Sequence, residues 1–403
     1  MWLVPTLVYL GAPSAISLAF FLIPLLTSVV RFNRTLEVFP LWSLIICFGT
    51  IAISTIHSNV SLANVLIFSG LVLQLPFGFI MLTKIEKNEY LSLVKTLNAV
   101  CLLQIVLALI QIFFWRRPGD SVNGSMLGDY HGTHIMPFVI FITVLLNWIL
   151  GTISVKFLTA ALFLTSFIAY RADAKLVLLG VFLFIIITAL TVLFSTKTSS
   201  STKGIAVFIF VVGNFLVIGS NFPSYAQDRW GYEIGNAFES KNIILNEYFD
   251  TTSEFGLNTS ILVGAGPTQT VSRSAIIAQA TSGKTLANSP LTVSQPRFYA
   301  SYTQTTGKFN IGPISSISQP ISSLVGILGD IGILGSVSLG ILILWPIKSL
   351  LKKSSRNRST IYLLIALFLM PLSFFNTFLE FPQAVFPLVI VLVGLSLRST
   401  KKI

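Results

Sequence analysis

Charge is scarce in this chain. Of its 403 residues only 10% are Asp, Glu, Lys or Arg, far below the quarter (about 25%) that soluble globular domains carry, and this excludes an ordinary soluble fold. Cysteine is nearly missing. Cys47 and Cys101 both lie within apolar runs, where a buried small side chain is expected rather than a disulfide or a thiol site. Histidine is almost as rare, and His57, His131 and His134 do not fall at zinc-ligand spacing. The chain has no Cys/His cluster, acidic metal cage, P-loop, H-E-x-x-H pattern or nucleophile triad, so neither a metal nor a cofactor is expected. Acids inside apolar runs are almost absent, the main exception being Asp330 in Gly329-Asp330-Ile331-Gly332. A proton- or ion-coupled transporter needs buried ionisable relays, so their scarcity weighs against one.

What the chain has instead is long apolar runs. Hydrophobic residues make up 54% of it and its mean hydropathy is +0.84, as in a polytopic helical membrane protein. Runs fall at 9–30, 39–56, 63–83, 92–115, 134–152, 155–170, 174–195, 204–221, 319–346, 360–378 and 383–397. Each is near the roughly 20 residues that cross a bilayer, which gives about eleven spans. The region before Val30 is broken by Pro5, Gly11 and Pro13. It lacks a basic n-region and a small-residue cleavage site, so it reads as membrane-embedded rather than as a leader.

The formal net charge of +12 raises the question of nucleic acid, and its placement answers it. Counting back from the basic C-terminus puts 31–38, 84–91, 153–154, 196–203, 347–359 and 398–403 on the cytoplasmic side. Those segments hold Arg31, Arg34, Lys348, Lys352, Lys353, Arg356, Arg358, Arg398, Lys401 and Lys402. That is the positive-inside pattern, not a polyanion-binding face, and no nucleic-acid partner is expected. Three regions follow: a membrane bundle over 1–221, a polar stretch over 222–318, and membrane helices over 319–403.

Basic residues on the outer side are few, and each calls for a reason. Arg116 and Arg117 stand at a membrane edge, where snorkelling toward headgroups is one reading and anion binding the other. Arg171 and Lys175 bracket Asp173 in a short turn, either as a structural ion cluster or as two cations held at the bilayer surface. The polar stretch is neutral, with six acids (Asp228, Glu233, Glu239, Glu247, Asp250, Glu254) against six bases (Arg229, Lys241, Arg273, Lys284, Arg297, Lys308). Asp228-Arg229-Trp230-Gly231-Tyr232-Glu233 opens a stretch of helical spacing that runs to about Asp250. Gly264-Ala265-Gly266-Pro267 is a glycine turn, either an ordinary one or one that lets backbone approach a phosphate. Residues 268–318 are rich in Ser, Thr, Gln and Tyr, a composition shared by sugar-contacting surfaces and flexible loops.

Four local patterns, in this order, resemble those of the O-antigen polymerase/O-antigen ligase superfamily of bacterial membrane glycosyltransferases. Asn123-Gly124-Ser125-Met126-Leu127-Gly128 is similar to its G-T-x-G segment. Lys175, or Arg171 one turn earlier, stands where the family has a Ser-Arg pair opening a span. Arg229-Trp230 followed by Gly264-Ala265-Gly266-Pro267 resembles its R…G-x-G-P, and Gly329-Asp330-Ile331-Gly332 with Gly335 resembles its E-x-G-x-x-G. The resemblance implies an all-α polytopic membrane protein of about eleven (roughly ten to twelve) transmembrane helices. One large periplasmic loop would precede the last three, in the bacterial inner membrane.

The implied reaction is transfer of undecaprenyl-pyrophosphate-linked glycan onto another lipid-linked repeat unit. It would proceed at the outer face, without metal or nucleotide sugar. Arg229, Lys175 and Arg171 would neutralise the pyrophosphate, with Arg273, Arg297, Arg116 and Arg117 as further candidates, since Arg forks pair with phosphate oxygens. Glu233, Asp228, His131, His134 and Asp330 are the candidates for the base that deprotonates the acceptor. Asp228 and Glu233 have an alternative role in orienting Arg229. The family's ligases carry a His-Asn pair before the last motif. Here that stretch reads Gln319-Pro320-Ile321-Ser322, and 222–318 contains no histidine, which favours polymerase over ligase. A transporter or flippase of a lipid-linked or anionic substrate is the rival from another class, and a chain-length regulator is the further partner the family implies.

Overall fold

A computed structural model of the chain describes residues 39–82, 86–117, 121–126, 132–174, 177–178, 180–181, 242, 258–270, 272–281, 322–352, 380 and 382–399. Among the described residues every regular element is a helix. They are α1 (Leu41–His57), α2 (Leu62–Val72), α3 (Gln74–Leu82), α4 (Lys87–Phe113), α5 (Gly132–Leu150), α6 (Val155–Arg171), α7 (Asn258–Val263), α8 (Arg273–Thr281), α9 (Ser323–Lys352) and α10 (Pro382–Ser399). Among the described residues two stretches, Asn88–Phe113 and Ser323–Lys348, are long and apolar enough to cross a membrane. Expected spans at 9–30, 204–221 and 360–378, and most of 174–195, lie outside the described residues.

The run at 63–83 is two helices, not one: α2 stops at Val72 and α3 starts at Gln74. Pro76 explains the break. It has no N–H to return to Val72, so the hydrogen-bond ladder cannot pass through this point. Ser61 starts α2 as an N-cap, accepting from Asn64 N–H, and Ser154 does the same for α6 by accepting from Phe157 N–H.

The described residues form two compact units. In the unit that runs from Leu91 to Gly235, α5 packs on α6. Asn98 of α4 and Asn147 of α5 exchange amide hydrogen bonds at 3.1 and 2.6 Å, a reciprocal pair that joins two apolar helices. The other unit combines residues between Pro13 and Tyr90 with those between Asn236 and Ile403. There α9 packs along α1, α10 on α3, and α8 on α2. Phe39, Leu44, Cys47, Ile51, Phe68, Phe77, Ile327, Ile331 and Leu339 form its core, with Phe77 edge-on to Phe39 and stacked on Phe48.

Polarity along α1 is inverted relative to a helix in water. Ser43, Thr50, Ser54 and the adjoining Ser58 are buried, while Trp42, Ile45, Ile53 and Ile56 are exposed, Ile56 by 80%. The buried hydroxyls of Thr50 and Ser54 return hydrogen bonds to Cys47 and Ile51 carbonyls of their own helix, which is why they can face the interior without a partner across it.

Candidate functional site

Part of the polar stretch is not a surface loop. Thr268, Gln269, Thr270, Ser272, Arg273 and Ser274 are all buried. The cause is a break in α9, whose backbone leaves helical geometry at Gly332 (φ 67°, ψ −174°). A break there takes away the amide donors that carbonyls just before it would otherwise receive. The glycine turn supplies replacements: Ala265 N–H donates to the Gly329 carbonyl at 2.8 Å, and Gly266 N–H to the Asp330 carbonyl at 2.9 Å. Gly264-Ala265-Gly266-Pro267 therefore approaches backbone of its own chain.

This joint has no room for a side chain on either face. A Cβ on Gly264 (φ +87°) would meet the Asp330 carbonyl and Gly332 nitrogen, and a Cβ on Gly332 would meet the Leu262 carbonyl. Gly264→Ala and Gly332→Ala are each expected to cost roughly 2 kcal/mol or more, from a left-handed backbone and a backbone clash together. Gly340→Ala, in α9 with nothing within 4 Å of its Cβ position, is the matched control. Unfolding temperatures of the purified variants check this, and an unchanged Gly264→Ala would contradict the packing.

Asp330 closes the joint from the side-chain direction. Its Oδ1 accepts from the Gln269 amide at 3.0 Å and the Thr270 amide at 2.9 Å, and lies 2.8 Å from the Thr270 hydroxyl. Its Oδ2 accepts from the Thr268 amide at 3.2 Å and the Ser272 hydroxyl at 2.9 Å. Three consecutive amides converging on one group make an anion-binding nest, and the chain fills it with its own carboxylate. Asn64 of α2 adds a donor to Thr268 Oγ1 at 2.5 Å. With both oxygens engaged, Asp330 acts here as a latch between α9 and residues 268–272.

The latch delivers Arg273 to the bundle interior. Arg273 is the first residue of α8 and only 6% exposed. Beside it lies Glu380, fully buried just before α10. Glu380 Oε2 accepts from the Ser274 amide at 2.9 Å, and the Arg273 amide also donates to this carboxyl group. Oε1 is buried and receives no hydrogen bond from the described residues. Burial pushes the Glu380 carboxyl up to about 7; the Ser274 and Arg273 amides pull it down, the Asp330 charge raises it, and the Arg273 guanidinium lowers it. The expectations drawn from sequence pass over Glu380. A signal exists, because Asp330 and Glu380 are the only acids after Glu254.

The remaining expected site residues divide by unit. Arg116, Arg117, His134 and Arg171 belong to the Leu91–Gly235 unit, whereas Arg273 and Asp330 belong to the other. Arg116 is exposed with φ 49°. Arg117 sits over the Trp115 ring at 5.0 Å with Nη1 3.4 Å from the Ser121 carbonyl. His134 is buried in the first turn of α5. Arg171 is exposed at the end of α6, followed by half-buried Asp173 with φ 54°. Asp228, Arg229, Glu233, Lys175, Arg297 and His131 lie outside the described residues.

The Asn123-Gly124-Ser125 segment is clamped by two buried glutamines of α4. Gln111 Oε1 accepts from the Asn123 and Gly124 amides at 3.0 and 2.9 Å, and its Nε2 donates to the Gly124 carbonyl at 2.8 Å. Gln104 receives the Ser125 amide at 3.0 Å and donates to its hydroxyl at 2.6 Å. Seven residues apart, the two glutamines share a helix face, so the turn is docked along α4. Among the described residues, no group of three or more His, Cys, Asp and Glu is placed to hold a metal ion. No protein-family model, curated protein or solved structure matches the chain.

Proposed function

We propose that this chain is a multi-pass polysaccharide polymerase of the bacterial inner membrane, akin to the O-antigen polymerases. It transfers undecaprenyl-pyrophosphate-linked glycan onto a second lipid-linked repeat at the periplasmic face. About eleven spans carry the chain, and 222–318 faces the periplasm.

The observation that carries the reading is the joint between the glycine turn and the α9 break. Two of the patterns behind the family resemblance, Gly264–Pro267 and Gly329–Gly332, lie far apart in sequence and meet backbone to backbone. Their union brings a basic residue of the polar stretch, Arg273, into the helical bundle. A buried guanidinium suits a pyrophosphate, whose charge grows as the glycosyl bond breaks. Arg229, Arg171 and Lys175 are assigned the same task, with Arg297, Arg116 and Arg117 behind them.

In this mechanism a hydroxyl of the acceptor sugar attacks the anomeric carbon of the lipid-linked chain. The bond from that carbon to pyrophosphate breaks, its electron pair leaves with the lipid pyrophosphate, and a base takes the hydroxyl proton. Glu233, Asp228, His131 and His134 are the candidates for that base; Asp330 is committed to the latch.

The test is incubation of the purified chain with a lipid-linked oligosaccharide repeat, read as a glycan ladder on a gel or by mass spectrometry. A ladder of added repeats without nucleotide sugar is expected. Failure with the native repeat, alongside transfer to a different acceptor, would replace polymerase by ligase. EDTA is expected to leave the ladder unchanged, because the charge on the leaving pyrophosphate is met by arginine and lysine; a clear loss would overturn that assignment.

A further inference from the structure

Among the described residues, three buried charged groups meet in the unit that contains α8, α9 and α10, and their balance is uneven. Arg273 supplies one cation, while Asp330 and Glu380 supply two carboxyl groups. Asp330 has donors on both oxygens. Glu380 has the amides of Ser274 and Arg273 and an Oε1 with no hydrogen bond among the described residues. A buried carboxylate left half-satisfied is costly, and a carboxylic acid with its proton on the open oxygen is less so. An anion arriving at Arg273 adds negative charge beside Glu380 and tilts this choice further toward the acid.

We propose that Arg273 and Glu380 form one proton-linked site for a phosphate-bearing anion, in which the anion binds to Arg273 as Glu380 takes a proton on Oε1. The proton comes from solvent and returns to it on release. This deepens the polymerase reading and rests on it for the ligand, a lipid-borne pyrophosphate. The charged groups that face Glu380 among the described residues are Arg273 on α8 and Asp330 on α9, and α3, which packs on α10, carries none.

Burial that raises this carboxyl from an ordinary 4.5 to about 7 means that the empty folded chain carries the proton over that range. The stability contributed by this group is therefore complete below about pH 4.5 and lost as pH rises through about 7. Anion binding follows the same sign. Reciprocity requires that protonation strengthen binding just as binding strengthens protonation.

The experiment measures binding of inorganic pyrophosphate to the full detergent-purified chain by calorimetry across neutral pH. Glu380→Gln mimics the protonated acid, so it is expected to bind as the unaltered chain does at low pH. Its affinity relative to the unaltered chain is then expected to grow by up to about tenfold per pH unit above 7. The comparison cancels the titration of pyrophosphate itself. Arg273→Gln is expected to abolish binding at every pH. Equal pH profiles for Glu380→Gln and the unaltered chain, weaker binding by Glu380→Gln throughout, or no pyrophosphate binding at all would overturn the site. Binding as described by a chain that makes no glycan ladder would retire the polymerase reading and keep the site. A ladder without Arg273-dependent binding would do the reverse.

Discussion

Asp330→Ala is expected to destabilise the chain sharply, with loss of order centred on residues 264–274. The substitution removes one acceptor group and strands the buried amides of Thr268 and Thr270, while the Gln269 amide keeps the Gly266 carbonyl at 3.2 Å. At about 1–3 kcal/mol for each buried donor left without a partner, the expected loss is on the order of 2 kcal/mol or more. The hydroxyls add less. Thr270 has a second acceptor in the Gly326 carbonyl at 2.9 Å, and Ser272 has Ser274 at 2.7 Å. Asp330→Asn should fall between the two. It keeps one acceptor oxygen, but presents an NH2 group beside buried amide donors, with only the Thr270 and Ser272 hydroxyls able to accept from it. The ordering unaltered, Asn, Ala in unfolding temperature, with new protease sensitivity near 264–274 in the Ala variant, is the expected result. An Ala variant that melts with the unaltered chain would show that these amides find other partners and that Asp330 is no latch.

That latch also marks where sequence reasoning reaches its limit. The apolar runs at 39–56, 92–115, 134–152 and 155–170 correspond to Leu41–His57, Lys87–Phe113, Gly132–Leu150 and Val155–Arg171 within a few residues. A long apolar run bounded by polar residues is itself the signal for a helix, and among the described residues Asn88–Phe113 and Ser323–Lys348 are long and apolar enough to cross a membrane. Discontinuities inside a run have a weaker signature. Pro76 was visible and accounts for the α2–α3 break, whereas Gly332 is one of several glycines in α9, and its place beside Asp330 does not by itself tell that the helix breaks there. The burial of 268–274 had no signature at all. Ser, Thr and Gln suit a solvated loop as well as a polar joint, and the nest that holds Asp330 is made of backbone amides, which every sequence has. Asp330 and Arg273 were legible as isolated charges. Their placement around Glu380 was not, because it depends on hydrogen bonds that span 56 to 106 residues of chain.

Arg229→Ala is expected to abolish polymer formation while expression and membrane insertion stay unchanged. The polar stretch is neutral, with six acids against six bases, so it offers the pyrophosphate no broad positive field. Stabilisation of the leaving group must come from particular cations at contact distance. Removing one donor aimed at developing charge typically costs about 10²–10³ in rate, enough to erase a ladder built by repeated transfer. Arg229→Lys keeps the charge but loses the two-pronged fork that matches phosphate oxygens, and should recover only a small part of the activity. Full polymer from Arg229→Ala would remove that residue from the site. The leaving group would then fall to Arg273, whose substitution becomes the decisive one. In that event activity should acquire the pH dependence of Glu380, since the cation that holds the pyrophosphate would be the one this carboxyl group faces.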